Sequence, residues 1–435
     1  MLRSRPALPA MGGTLSDWRT FGASRYRAFR LLAVAQGVIG ALSGPAIVIP
    51  LLLELGAHPA LATGLAVLPV LGTMSQRLVP TLLDRTDGNL RGLVVLAATI
   101  GEPRGLLLAL VVALTAAGIL PNGVAIGLIA VIVGILGSLG AVGYGMLQSW
   151  YQIILPDAER RLVAPRLGGI TLGIGSILLL PIALTIDGFV ARIGLWAYAA
   201  PFVIAGTAGI GAAISLRRLP SPGRVRVPRQ AAASAVLDDS RLRRLARVLT
   251  MASLAAGLCP FLSVYAISVL GTGPGFAILL SAVSSATLVV SSLVVSSQLV
   301  RGSSSRLLRG SMLLRGTALT LALAAAPGFA FAPLVLVVVA LLLAAGDTAG
   351  QLSANERLFR LATGPSVIAF QSHFIVRNTL FYAGGMLAGS AVMLLGGYVG
   401  FALLFGASGA VRFGAAQQTE LSGAGHATER LAAST

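Results

Sequence analysis

The chain has 435 residues, 56% of them hydrophobic and only 11% charged, with a mean hydropathy of +0.89. That balance excludes a soluble globular protein and predicts an all-α chain crossing a membrane many times. The formal charge of +18 comes from 32 basic residues, every one an arginine, spread between hydrophobic segments instead of gathered with aromatics, which argues against nucleic acid as a partner.

Residues 1–27 form a basic leader without the apolar core of a signal peptide, so they are expected to stay in the cytoplasm uncleaved. A span needs roughly 20 apolar residues, and on that measure about twelve transmembrane helices follow. The first six centre on 28–53, 59–83, 92–118, 124–150, 168–187 and 194–216. The second six centre on 245–270, 276–300, 307–326, 333–352, 370–395 and 397–412, before a polar tail at 414–435. Arginines gather in the leader and in loops 84–91, 159–166, 217–247, 301–309 and 357–360, while the intervening connections hold only Arg192. The positive-inside rule therefore puts both termini in the cytoplasm.

The linker at 217–244 divides the chain into bundles at 28–216 and 245–413. Its "RRLPSPGRVRVPRQ" resists packing, whereas "LDDSRLRRLARVL" reads as a helix whose Asp238 and Asp239 favour its start. The halves echo each other. Leu55-Gly56 and Leu270-Gly271 each follow a first helix, then come a hydrophobic span and an arginine loop. "DAERRL" after the fourth helix likewise parallels "NERLFRL" after the tenth. Parallel six-helix repeats are a transporter architecture with a site where the halves meet. The single cysteine, Cys259, allows no internal disulfide and has no ligand-spaced neighbours, so neither a metal nor a cofactor is expected.

In the loop between the second and third spans, "PTLLDRTDGNLR" resembles the Gly-x-Leu-x-Asp-Arg-x-Gly-Arg-Arg signature of the major facilitator superfamily. Leu82, Asp84 and Arg85 match; Pro80 stands for the glycine, and Gly88 comes one residue late. The second-half copy, "SSQLVRGSSSR", lacks the aspartate, and "LCPFLSVYAISVLG" resembles the seventh helix of bacterial permeases of that superfamily. The resemblance implies alternating access by rocking bundles, with Asp84, Arg85 and Arg91 in a cytoplasmic gating loop. It also implies that helices one, four, seven and ten line a cavity. The polar residues there are Gln36 and Ser43, then Tyr144, Gln148 and Trp150, then Tyr265, then Asp347 and Gln351.

Asp347 lies about nine residues inside an arginine loop, roughly 14 Å along a helix, and must face a cavity or a cation rather than lipid. An interhelical ion pair is the alternative reading. "GEPRG" puts Glu102 eleven residues beyond Arg91, roughly 16 Å along the third helix, with Arg104 deeper. Residues two apart point to opposite sides, so different partners are expected unless Pro103 bends the helix. His373 and Arg377, four apart on helix eleven, are further coupling candidates, Arg377 as a neutraliser of Asp347 or Glu102. Arg309 and Arg315 read as snorkelling or interhelical residues, and the serines of 281–297 and most glycines as sites of close helix packing.

Without a "GxxxxGK[ST]" loop, the pattern points to a secondary transporter and not an enzyme. It would move a small molecule across a bacterial cytoplasmic membrane as a monomer in the lipid bilayer. Asp347 would exchange a coupling proton, with Glu102 the second choice. Sparse charge leans towards a neutral or amphipathic molecule and export. Two other classes stay open: a transporter-like sensor or non-transporting partner, and a lipid-linked transferase. The transferase would want clustered acids at one interface, where the outer side offers only Glu54, His58 and Asp187.

Overall fold

Some helix breakers in the sequence mark where the rods are interrupted, while Pro50 and Pro181 lie inside continuous helices. The computed structural model describes residues 26–432 apart from 66–67, 73, 75–77, 155–156, 222, 225–239, 258–261, 302–303 and 362–364. Nearly all of the leader, Asp238, Asp239 and Cys259 thus lie outside the described residues. The first span is two helices, α1 (Arg27–Leu42) and α2 (Pro45–Glu54), because Pro45 restarts the helix after Gly44. Ser43 closes α1, its buried hydroxyl donating to Ile39 O at 2.8 Å. The second expected span divides into α3 (Pro59–Leu65), α4 (Leu68–Gly72) and α5 (Val79–Arg85). Next come α6 (Leu90–Gly101) and α7 (Arg104–Ala116). Then α8 (Asn122–Val131) continues through a π-turn at Ile132–Leu136 into α9 (Gly137–Ile154). The long α10 (Asp157–Ile193) turns at Gly194 into α11 (Ala199–Arg217).

The helix foreseen in the linker starts at Ser240 and runs into the next span as α12 (Ser240–Gly257). It is followed by α13 (Leu262–Ser268), α14 (Pro274–Arg301), α15 (Ser304–Ala322), α16 (Ala332–Leu361), α17 (Pro365–Met393) and α18 (Gly397–Ala432). Past residue 413, where a tail was expected, α18 continues as helix. Both leucine-glycine turns have the same geometry, Gly56 at φ 83° and Gly271 at φ 67°, a left-handed conformation that suits glycine after a helix.

Among the described residues, eight helical stretches are long and apolar enough to cross a membrane, which makes the chain a multi-pass membrane protein. One of them, Leu167–Arg217, is 51 residues long and takes in most of α10 and all of α11. The 19-residue α15 carries Arg306, Arg309 and Arg315 and is not among the eight. Large apolar side chains such as Ile177, Leu184, Leu293 and Leu394 face outward, as a lipid environment requires.

The helices form two bundles. In the first, α1 packs on α10 and α11, α7 on α11, and α6 on α9. In the second, α15 packs on α16 and α18, and α12 on α17 and α18. The bundles meet where α10 runs along α14, where α2 touches α13 and α14, and where α3 and α4 touch α17. Small residues set the crossings: Gly37 of α1 lies on the Thr171 carbonyl of α10, and Gly105 of α7 meets Gly206 of α11. The hydroxyls of Ser281, Ser284 and Ser292 return to carbonyls of their own helix α14.

Candidate functional site

The acid placed deepest in the second bundle by the sequence has a cation beside it. Oδ1 of Asp347 on α16 is ion-paired with Nη2 of Arg315 on α15. The two partners differ in exposure, 10% for the Arg315 side chain and 39% for that of Asp347. The guanidinium is therefore held inside the protein, while the carboxylate is partly open. Two glycines allow the reach. A methyl group at Gly346 would overlap Cγ of Arg315, and one at Gly350 would stand 3.1 Å from Oγ of Ser311. The stem of the arginine thus lies flat on α16. The fully buried Arg412 of α18 donates from Nη1 to Sδ of Met312, one turn from Arg315 on α15, at 3.6 Å.

Gly346→Ala is expected to push Arg315 away from Asp347 and lower the stability of the purified protein by about 1–3 kcal/mol, the usual cost of overpacking. Gly350→Ala should cost less, because the Ser311 hydroxyl can rotate. Thermal unfolding of both variants in detergent checks the order.

At the third span the proline wins over helical periodicity. α6 stops at Gly101 and α7 starts at Arg104, with Glu102 and Pro103 as the caps between them. The amide of Glu102 still donates to Ala98 O at 3.0 Å. A methyl at Gly140 of α9 would lie 2.9 Å from Nη1 of Arg104 and 3.9 Å from Oε1 of Glu102, so both side chains rest on the same point of α9. The expectation of different partners is corrected, because Pro103 turns the acid and the base towards one neighbour. Glu102 is buried, and its carbonyl lies against Gly209 of α11, which ties the break to two helices at once.

The other candidates are spread along their helices. Gln36 is half-buried on α1, Tyr144 is exposed on α9, and Gln351 is exposed on α16 one turn from Asp347. Tyr265 sits elsewhere than a cavity wall. It is fully buried, its hydroxyl donates to Ala325 O, and its ring packs among Tyr398, Phe401 and Phe405. Trp150, also fully buried, donates from Nε1 to Pro220 O at 3.0 Å and closes the arginine-rich end of the first bundle. Arg377 is exposed and lies 6.0 Å from the ring centre of Phe381 on its own helix. Where α5 passes to α6, Arg85 is exposed, and Nη2 of Arg91 donates to Arg217 O at the end of α11, where a cation suits the helix dipole. The side chains of Asp84, Gln148 and His373 lie outside the described residues.

Arg315 was visible in the sequence as a charge but not as the partner of Asp347. Arg412 stood only as the last residue of the twelfth span. The signal for both was an arginine within an apolar helix, which lipid tolerates poorly.

No family model and no curated protein matches the sequence. The fold, in contrast, is shared with solved structures. A POT family transporter in complex with a thioalcohol-conjugated peptide superposes with a TM-score of 0.67 at 12% identity, over 92% of this chain and 95% of that one. The nucleoside transporter NupG gives 0.64 at 11% identity, over 91% and 99%. A D-xylose-proton symporter gives 0.64 at 15% identity, over 91% and 97%.

Proposed function

Since the chain has the fold of a major facilitator type transporter, we propose that it is a secondary active transporter of a small molecule, coupled to protons through Asp347. The observation that carries this reading is the Arg315–Asp347 pair, a buried cation facing a carboxylate with 39% of its side chain open. Inside a membrane such a pair is costly, which supports a functional role for it. Protonation of Asp347 would dissolve the pair, and rocking of the two bundles would then carry the neutral acid to the other side. The proton named for the D-xylose symporter supports a proton as the coupling ion. Glu102, resting with Arg104 on α9, is the second carboxylate of the reading.

The same proposal includes twelve spans, with both termini in the cytoplasm of a bacterial cell. The eight apolar stretches supply part of that number, and α3–α5, α15 and α17, together with the doubled α10–α11 run, supply the rest. Gln36, Tyr144, Gln148 and Gln351 are proposed to face the substrate; Tyr265 is proposed as core.

The test is thermal unfolding of the purified protein against sugars, amino acids, nucleosides, lipophilic cations and antibiotics. A ligand at a hundred times its Kd stabilises the native state by about 2.7 kcal/mol. A saturable rise in the unfolding midpoint for one class names the substrate. No rise for any compound in a folded protein counts against the carrier and favours the sensor.

A further inference from the structure

The two bundles are fastened to each other at their arginine-poor ends by polar contacts that the transport reading has not used. Asp187, near the end of α10, accepts through Oδ1 the backbone N–H of Gly275 in the first turn of α14, at 2.8 Å. Both Gly273 and Gly275 present only hydrogen to that carboxylate, since a side-chain carbon at either position would collide with it. The contact joins an acid of the first bundle to the positive end of a helix of the second. On the other flank, Oγ1 of Thr63 on α3 lies 3.3 Å from Oγ of Ser390 on α17, and the Thr63 hydroxyl also reaches Sδ of Met393 at 3.9 Å. Thr63 is fully buried at this junction, whereas Asp187 is exposed. Asp187, Thr63, Ser390 and Met393 all lie close to the connections that lack arginine clusters.

We infer that Asp187 on the α14 N-terminus and Thr63 on Ser390 are the two fastenings of a gate at the arginine-poor face, and that both part when the cavity opens there. The inference rests on the alternating-access reading. Its physical basis is strength as well as place. A carboxylate on a helix N-terminus in water is a modest interaction, strong enough to bias two states and weak enough to be broken in each cycle.

The experiment uses the full chain in lipid nanodiscs, with Cys259→Ser and spin labels on Phe189→Cys and Phe331→Cys, two exposed positions on opposite bundles. Distances between the labels are measured by pulsed electron spin resonance. Asp187→Ala is expected to raise the ratio of long to short distances about tenfold, the factor that corresponds to ~1.4 kcal/mol. Asp187→Asn, which keeps an acceptor oxygen, should return part of the change. Thr63→Val should add to Asp187→Ala. If the native protein shows both distances and the folded Asp187→Ala protein leaves their ratio unchanged, the fastening is wrong while the transporter stands. If one short distance persists in the native protein and in every variant, rocking itself is wrong, and the transport reading falls with it.

Discussion

Asp347→Asn is expected to abolish proton-driven accumulation of the substrate in proteoliposomes while the protein still folds. The substitution leaves Arg315, 10% exposed, facing a neutral amide. Breaking a fully buried pair costs about 3–5 kcal/mol, and the 39% exposure of the acid reduces this to about 1–3 kcal/mol here. Transport and stability then separate in the double variant. Asp347→Asn with Arg315→Met removes both charges and replaces the stem of the arginine with an apolar chain, so most of the lost stability should return. Transport should not. Recovery of proton-driven accumulation in the double variant would reduce the pair to a structural one, and proton coupling retained in the single variant would pass the role to Glu102.

A second large effect is expected at the crossing of α12 and α17. Gly385 lies against the Leu254 carbonyl, and Gly257 against the Tyr382 carbonyl, so the two backbones touch at both points. A side chain has nowhere to go, because the obstacle is main chain on the opposing helix. Gly385→Val should therefore separate the helices and cost about 3 kcal/mol or more, at or above the upper end for overpacking. Its neighbour supplies the control. Gly384 has open space where a Cβ would be, so Gly384→Val should change stability by less than about 0.5 kcal/mol, as surface changes do. Unfolding midpoints of the two variants measured in the same detergent give the comparison, and equal losses would refute the packing assigned to this crossing.

Several residues show how far the chain could be read without its fold. Pro45 and Pro103 are local breakers, and the helices do break beside them; the single run expected at 28–53 becomes α1 and α2. The depth of Asp347 in its helix was likewise legible, since depth is a matter of counting residues from a charged loop. Its partner was not, because Arg315 is 32 positions away and two helices can meet on any of several faces. Glu102 and Arg104 failed for a related reason. Periodicity describes an intact helix, and with the break at Glu102 and Pro103 both side chains lie against Gly140. Tyr265 was placed by analogy with cavity helices, but its ring and hydroxyl are consumed by α18 and Ala325. Arg412 sits in a helix that runs on to Ala432, so the end of hydropathy was not the end of structure.

Composition and order along the chain determined the membrane as solvent, the helical class and the breaks at Pro45 and Pro103, because these follow from hydrophobicity, proline and glycine acting over one or two turns. Tertiary structure alone decided which charges meet, which polar rings are core and where the bundles fasten. Those contacts join residues far apart in sequence, and their geometry is set by the close approach of helices at positions such as Gly346, Gly140 and Gly275, where only the absence of a side chain lets the partner in.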